Sequence, residues 1–247
     1  MRITESALLG EQAIAFTLRA AGITEMPELA AIVNTAILPM GMTAAASGYV
    51  SGPRAASPAP FHFANWSPEW VRIYMAENFL LADPLPRWAR SSGRPMAWTD
   101  LFDLLPPRDR GRRVIKIASH HKFTEGMAIP MRSADNHLGL VSFGGDRDRL
   151  SRAEQTYLTM IGRAAFENAE RIERCGEVQK VPPLLSAREI ELLVLLVRGH
   201  ADQQISVMLG ISLPTVRFHL NNAKEKLGAV SRTHLAALAV SSGYAPV

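Results

Sequence analysis

The sequence predicts an α+β domain, an α-β-α sandwich built on an antiparallel sheet, followed by a small all-α domain. Three observations carry this. Over residues 1–175, helix-period apolar patterns lie before, between and after stretches with strand character. From residue 184 onward the strand patterns stop, and short periodic segments are punctuated by Gly199 and Gly210. At 247 residues the chain far exceeds the second unit alone, and the part before it is long enough to bury a core of its own. Residues 176–183 read as the linker, dividing the chain into domains 1–175 and 184–247.

In chain order, helical patterning covers about residues 11–21 and 27–38, and a strand-like stretch spans 43–51. Residues 52–60, GPRAASPAP, have the composition of an exposed hairpin loop, from which a strand at 61–65 returns. Ser67-Pro68-Glu69 opens a helix expected to reach about residue 81, ended by Asp83-Pro84 because proline disfavours helical backbone in the residue before it. Residues 108–121 are helical in pattern, and strands at 126–131 and 138–143 are joined by the turn-rich SADNH. Ser151 and Glu154 have capping-box spacing and start a long helix through about residue 174.

Residues 185–243 read as a compact helix-turn-helix unit. Ser186 and Glu189 form a second capping box, Leu192, Leu193, Leu195, Leu196 and Val197 supply the apolar stripe, and Gly199 suits a left-handed helix end. A second helix at 202–209 stops at Gly210, and Ile211-Ser212 makes the turn. The third helix has Ser212 as cap and Pro214 in its first turn. That order lays a recognition helix in a major groove. Arg217 and Asn221, four apart and directed away from Val216 and Leu220, are the expected base readers, since arginine bonds guanine and asparagine bonds adenine in bidentate fashion. Thr215, His219, Lys224 and Lys226 are placed for phosphate. Surface packing of His219 and a solvated lysine face are the alternatives, and Glu189 reads as a cap rather than a contact.

Composition sets wide bounds. Lysine and arginine total 27 against 23 acids, and residues 183–247 hold six against four, so the basic balance is compatible with nucleic acid without indicating it. The single cysteine, Cys175, forms no internal disulfide and agrees with a reducing cytoplasm, the expected location. No signal peptide opens the chain, and no apolar run approaches the roughly 20 residues that span a bilayer. Adjacent His120 and His121 point to different helix faces and suggest no metal. The basic run Arg108, Arg110, Arg112, Arg113 and Lys116 reads as a solvated face rather than a second DNA site.

The run LSxRE, then Gly199, IS-x-x-TV-x-x-HL-x-N-x-x-x-KLG and SRTHLAALA resembles the C-terminal domain of LuxR-type transcription regulators. Glu189, Leu193 and Gly199 match it, whereas Gln204 and Ser206 stand where the family often has Glu and Ala. Upstream, Trp70 and Tyr74 share a helix face, Asp83 precedes a proline, Trp98 follows fifteen residues later, and Gly126 opens a strand. This set resembles the autoinducer-binding domain of the same family, with Ser142 where a hydroxyl residue often faces the pocket. Trp66 replaces a frequent tyrosine and Leu85 a frequent valine, a bulkier wall that would shorten or reshape an acyl pocket or fit an aromatic acyl group.

The resemblance implies a ligand-dependent homodimeric regulator that binds an N-acyl homoserine lactone and a palindromic site on double-stranded DNA, with RNA polymerase as a further partner. It implies no cofactor, metal or enzymatic activity. Trp70 would donate to the lactone carbonyl, Asp83 accept the amide N–H, Tyr74 donate to the amide carbonyl, Trp98 pack on the ring and Ser142 bond the acyl end, with Gly126 leaving room where a side chain would intrude. The helix from Ser151 would supply the dimer face through Leu158, Ile161 and Ala165. Other readings stay open at this point. The aromatics could be core packing and Asp83 a turn residue; the chain could answer a different small molecule or act without one. A phosphorylated receiver domain is disfavoured because ESALLGEQAIAF lacks the acidic pair it needs, and an enzyme because no nucleophile or metal set accompanies Asp83 and Tyr74.

Overall fold

Thr4 caps the first helix, α1 (Glu5–Ala21), by accepting from the Ala7 amide, so the helix begins before its apolar periodicity becomes visible at residue 11. The computed structural model describes residues 4–50, 61–175 and 184–245; the expected hairpin loop at 52–60 and the linker at 176–183 lie outside them. Two units separate by their internal packing, Met1–Gly176 and Glu177–Val247.

In the first unit α2 (Met26–Ile37) carries Pro27 in its first turn and ends in a 3-10 turn closed by Gly41 at φ +70°. Among the described residues a five-stranded sheet follows, made of β1 (Ala44–Tyr49), β2 (Phe61–Ala64), β3 (Met96–Ala97), β4 (Glu125–Arg132) and β5 (Leu138–Gly145). Its order is β2-β1-β5-β4-β3, every neighbouring pair antiparallel.

Strand alternation decides what each face carries. Met127, Ile129, Val141 and Phe143 point to one side and join a core with α1, α2 and the long α7 (Arg152–Glu173). Both halves of the Ser151–Glu154 capping box are formed. Leu158, Ile161 and Ala165 are fully buried in this core, which removes them as a dimer face: the apolar stripe of α7 is spent on its own sheet and on α1. The other side of the sheet is lined by small residues. Ala44 pairs with Gly144, Gly126 also pairs with Gly144, and Ser142 stands one alternation away. That face leaves space, and α3 (Pro68–Ala76) and α6 (Gly111–His120) carry the larger side chains that pack over it.

The helix expected at 67–81 stops at Ala76. Asn78 takes a left-handed conformation, φ +51°, which asparagine tolerates better than most residues, and a 3-10 turn (Phe79–Leu81) follows. Asp83 therefore ends nothing. It is the N-cap of a further helix, α4 (Pro84–Ser91), accepting from the Leu85 amide at 2.8 Å, with Pro84 at the first position. Two prolines hide α4 from a periodicity reading, and α5 (Trp98–Asp103) is too short for one. The helix expected from 108 begins at Gly111, whose amide donates to the Asp109 side chain.

The second unit consists of α8 (Ala187–Val197), α9 (Asp202–Leu209), α10 (Leu213–Lys226) and α11 (Arg232–Ser241), the last not anticipated as a helix. Gly199 and Gly210 adopt φ +88° and +62°, as left-handed helix ends require. Ser186, Ser212 and Ser231 cap α8, α10 and α11. Leu192, Leu193, Ile205, Val216, Leu220 and Leu235 meet in one core, so the inner face of α10 is settled by packing.

Candidate functional site

Trp70 and Tyr74, one turn apart on α3, face the small-residue side of the sheet and help enclose a cavity of about 60 Å³. Trp66, Asp83, Trp98 and Ser142 line the same cavity, so six of the seven residues singled out in the sequence converge there. The aromatic wall is interlocked: Trp66 stacks on Tyr74 at 6.1 Å, and Trp70 meets Tyr74 edge-on at 5.8 Å.

The polar groups are few and mutually arranged. The Tyr74 hydroxyl donates to Asp83 Oδ2 at 2.6 Å, while Asp83 Oδ1 accepts from the Leu85 amide. Burial raises the Asp83 pKa despite the opposing help of Tyr74, the Leu85 amide and Arg87. Burial also pushes the Tyr74 phenol far above its usual range, and the adjacent carboxylate pushes it further, so the hydroxyl remains a neutral donor. Asp83 is thus both cap and cavity wall.

Gly126, the seventh residue, serves the cavity at one remove. A Cβ there would strike the Phe143 carbonyl oxygen and come within 2.6 Å of Trp98 Cε2. A Cβ on Gly144 would likewise collide with the far edge of the same indole. The room expected at Gly126 is filled by Trp98, whose indole lies across both glycines. Its N–H is buried and finds no hydrogen-bond partner among the described residues. Phe102, Val114 and Phe123 complete the wall and were missed. The i,i+4 spacing of Phe102 from Trp98 was the available signal.

In the second unit α10 keeps Arg217 and Asn221 on its exposed face. Arg217 Nε lies 3.7 Å from Asp202 Oδ2, and Asp202 also binds Arg232, whose guanidinium reaches the His200 carbonyl oxygen at 2.9 Å. The Thr215 and Ser212 hydroxyls are 2.7 Å apart at the start of α10, and His219 and Lys224 are half-buried. Lys226 corrects the sequence reading. Its ammonium is held by both oxygens of Glu189, at 2.8 and 2.9 Å, and so serves the fold instead of facing phosphate. Phe218, missed in the sequence, is 60% exposed beside Arg217; with Val216 and Leu220 inside, position 218 has to point out.

An apolar cavity with a few converging polar groups, in a chain that also carries a helix-turn-helix unit, defines a class: DNA-binding regulators that respond to a small molecule. Residues 26–169 match the family model for the autoinducer binding domain, and residues 183–239 match that for bacterial regulatory proteins of the luxR family. The chain belongs to the LuxR-type quorum-sensing transcriptional regulators and is not an enzyme. It is 29% identical over 248 residues to the quorum sensing-dependent transcriptional regulator RpaR of Rhodopseudomonas palustris, covering 98% of each chain. It is 30% identical over 180 residues to the transcriptional activator AhyR of Aeromonas hydrophila, covering 70% of this chain and 69% of that one. Among solved structures, Escherichia coli SdiA shares the fold with a TM-score of 0.58 at 23% identity, over 94% of this chain and 97% of that one. CepR2 of Burkholderia cenocepacia gives a TM-score of 0.52 at 16% identity, over 68% of this chain and 98% of that one. Among the described residues no helix is long and apolar enough to cross a membrane.

Proposed function

We propose that the chain is a homodimeric regulator whose effector is an N-acyl homoserine lactone, sensed in the Trp70–Asp83 cavity and reported by α10 on a palindromic operator. The convergence of Trp66, Trp70, Tyr74, Asp83, Trp98 and Ser142 on one cavity carries the reading. A neutral amide ligand needs an acceptor for its N–H and donors for its carbonyls, and a site lacking either would leave buried groups unpaired. Asp83 is the acceptor; a carboxylate oxygen that already takes one hydrogen bond has lone pairs for another. The Trp70 indole N–H faces the lactone carbonyl, the Tyr74 hydroxyl turns its single hydrogen from Asp83 to the amide carbonyl as the ligand N–H takes its place on the carboxylate, Trp98 covers the ring, and Ser142 bonds the acyl end. Gly126 acts by seating Trp98.

At about 60 Å³ the cavity is smaller than the roughly 150 Å³ that holds a benzene. A lactone therefore enters as Trp66, Leu85 and Phe102 move outward, and it becomes part of the core that it enlarges. The folded sensory unit is then stabilised by mass action. Arg217 and Asn221 read bases, with Thr215, His219 and Lys224 on the phosphates; a two-fold dimer sets half-sites about one helical turn apart. Domains 1–175 and 184–247 divide these tasks in a cytoplasmic protein with RNA polymerase as a further partner.

The test is soluble yield with and without a panel of acyl homoserine lactones, including compact and aromatic acyl groups, with Asp83→Ala as control. Particular lactones should rescue soluble dimer for the natural chain and not for the variant. Ligand-independent yield with no co-purifying lactone would leave a regulator of the same family answering a different molecule, or none.

A further inference from the structure

The helix that supplies the cavity's aromatic wall is apolar on both sides. Trp70 and Tyr74 point inward, whereas Val71 and Met75, also four apart, are exposed to 40% and 72%. The 3-10 turn after it adds Leu80 and Leu81, exposed to 58% and 75%. Four large apolar side chains within eleven residues of surface call for a partner, because exposed apolar groups are otherwise scattered singly.

Cations lie at one end of this patch. From residue 108 to 122 the chain carries six lysines and arginines and one acid, Asp109, whose carboxylate is taken up by Arg87 and the Gly111 amide. Arg110 and Arg113 line the same groove as Leu81, the buried Phe79 and Glu77, which puts cations beside the Leu81 end of the patch. Arg113 pairs with Glu77 at 2.7 Å, while Arg110 has no ion-pair partner among the described residues, and Arg72 is exposed on the same helix as Val71 and Met75. We propose that this face docks on an anionic phospholipid surface, with Val71, Met75, Leu80 and Leu81 entering the headgroup boundary and Arg72 and Arg110 pairing with phosphates.

Charge and area favour lipid over protein as the occupant. A stable protein interface needs roughly 800 Å² per partner, more than four side chains supply, whereas interfacial docking needs only a few inserted apolar groups and adjacent cations. Docking would bring the outer wall of the cavity to the bilayer, where a neutral amphiphile concentrates. That consequence rests on the lactone reading; the docking itself does not.

Flotation of the purified full chain with vesicles tests it. The chain should float with vesicles containing phosphatidylglycerol, much less with pure phosphatidylcholine, and be released by raised salt. Met75→Glu with Leu81→Glu should abolish flotation, and Arg110→Gln should weaken it about fivefold. Unchanged melting and non-specific DNA binding would show that the variants fold, with Leu81→Ser as the milder substitute if the double variant does not. Equal flotation on both lipids, flotation untouched by the variants, or a change of oligomeric state on mutating Leu81 would each overturn the proposal, the last by making the patch a self-contact. Lactone-dependent solubility can fail while flotation succeeds, so the two readings are separable.

Discussion

Glu189 and Lys226 join the first turn of α8 to the last turn of α10, at 2.8 and 2.9 Å, while Glu189 Oε2 also accepts from the Ser186 amide. One buried carboxylate thereby closes a capping box and ties the recognition helix to its scaffold. Glu189→Ala should cost about 2 kcal/mol, by loss of the cap and of a partner for Lys226, and Lys226→Ala about 1 kcal/mol. Hydrogen exchange of the α8 and α10 amides reads this directly, because all four tryptophans lie in the first unit. Burial pulls the Glu189 pKa up, but Lys226 and the Ser186 bonds outweigh it and hold the carboxyl below its usual value of 4.5. Its contribution is therefore complete above pH 4.5 and is lost as pH falls through the lower folded value.

Asp83 works in the opposite sense. Burial raises its pKa, so the folded chain binds a proton more readily than the unfolded chain, and the ionised group costs stability at neutral pH. That cost shrinks as pH falls through the raised value towards the ordinary 3.8. Asp83→Asn keeps an N-cap residue and removes the buried charge. It should raise the melting temperature of the ligand-free chain by about 2 °C and abolish lactone-dependent solubility. Lactone retention by the natural chain should weaken as falling pH protonates the carboxylate, whose pKa burial raises. A variant that loses both stability and response would assign Asp83 to the fold alone.

Gly126→Ala puts a methyl group against Trp98 and the Phe143 carbonyl oxygen, within a buried strand that cannot give way. A destabilisation of about 1–3 kcal/mol is expected, with a shift in Trp98 fluorescence and loss of ligand response. Unaltered fluorescence would mean that the indole is seated by something other than the two glycines.

Arg217→Ala and Asn221→Ala should each reduce discrimination among operator variants by about 1–3 kcal/mol at one base pair, whereas Lys224→Ala should weaken all sequences alike. Binding measured on an operator set at two salt concentrations separates these outcomes. Uniform loss for Arg217→Ala would move it to the phosphates.

Leu158→Ala empties a fully buried position and should cost about 3 kcal/mol in the sensory unit. Dissociation of a dimer with stability intact is the result that would return α7's apolar stripe to an interface.

The fold was legible wherever a pattern ran long enough. Both capping boxes, the glycine helix ends and the two long strands β4 and β5 follow from local rules that need no partner. The apolar stripe of α7 was equally legible, but what it packs against was not: periodicity shows that Leu158 is covered, and only the sheet shows by what. Lys226 illustrates the same limit, since a lysine on a basic helix looks free until a carboxylate 37 residues away closes on it.

Taken alone, the sequence determined the class of both units and the exposed face of α10, because those depend on spacing along the chain, while six residues of the cavity wall were named by resemblance to the autoinducer-binding domain. Tertiary structure decided that Asp83 caps a new helix while bonded to Tyr74, that Gly126 and Gly144 seat Trp98, and that α3 is apolar on both faces. Each of these relations depends on which strand lies beside which, and strand order is set by the summed burial of residues far apart in sequence, which no local pattern records.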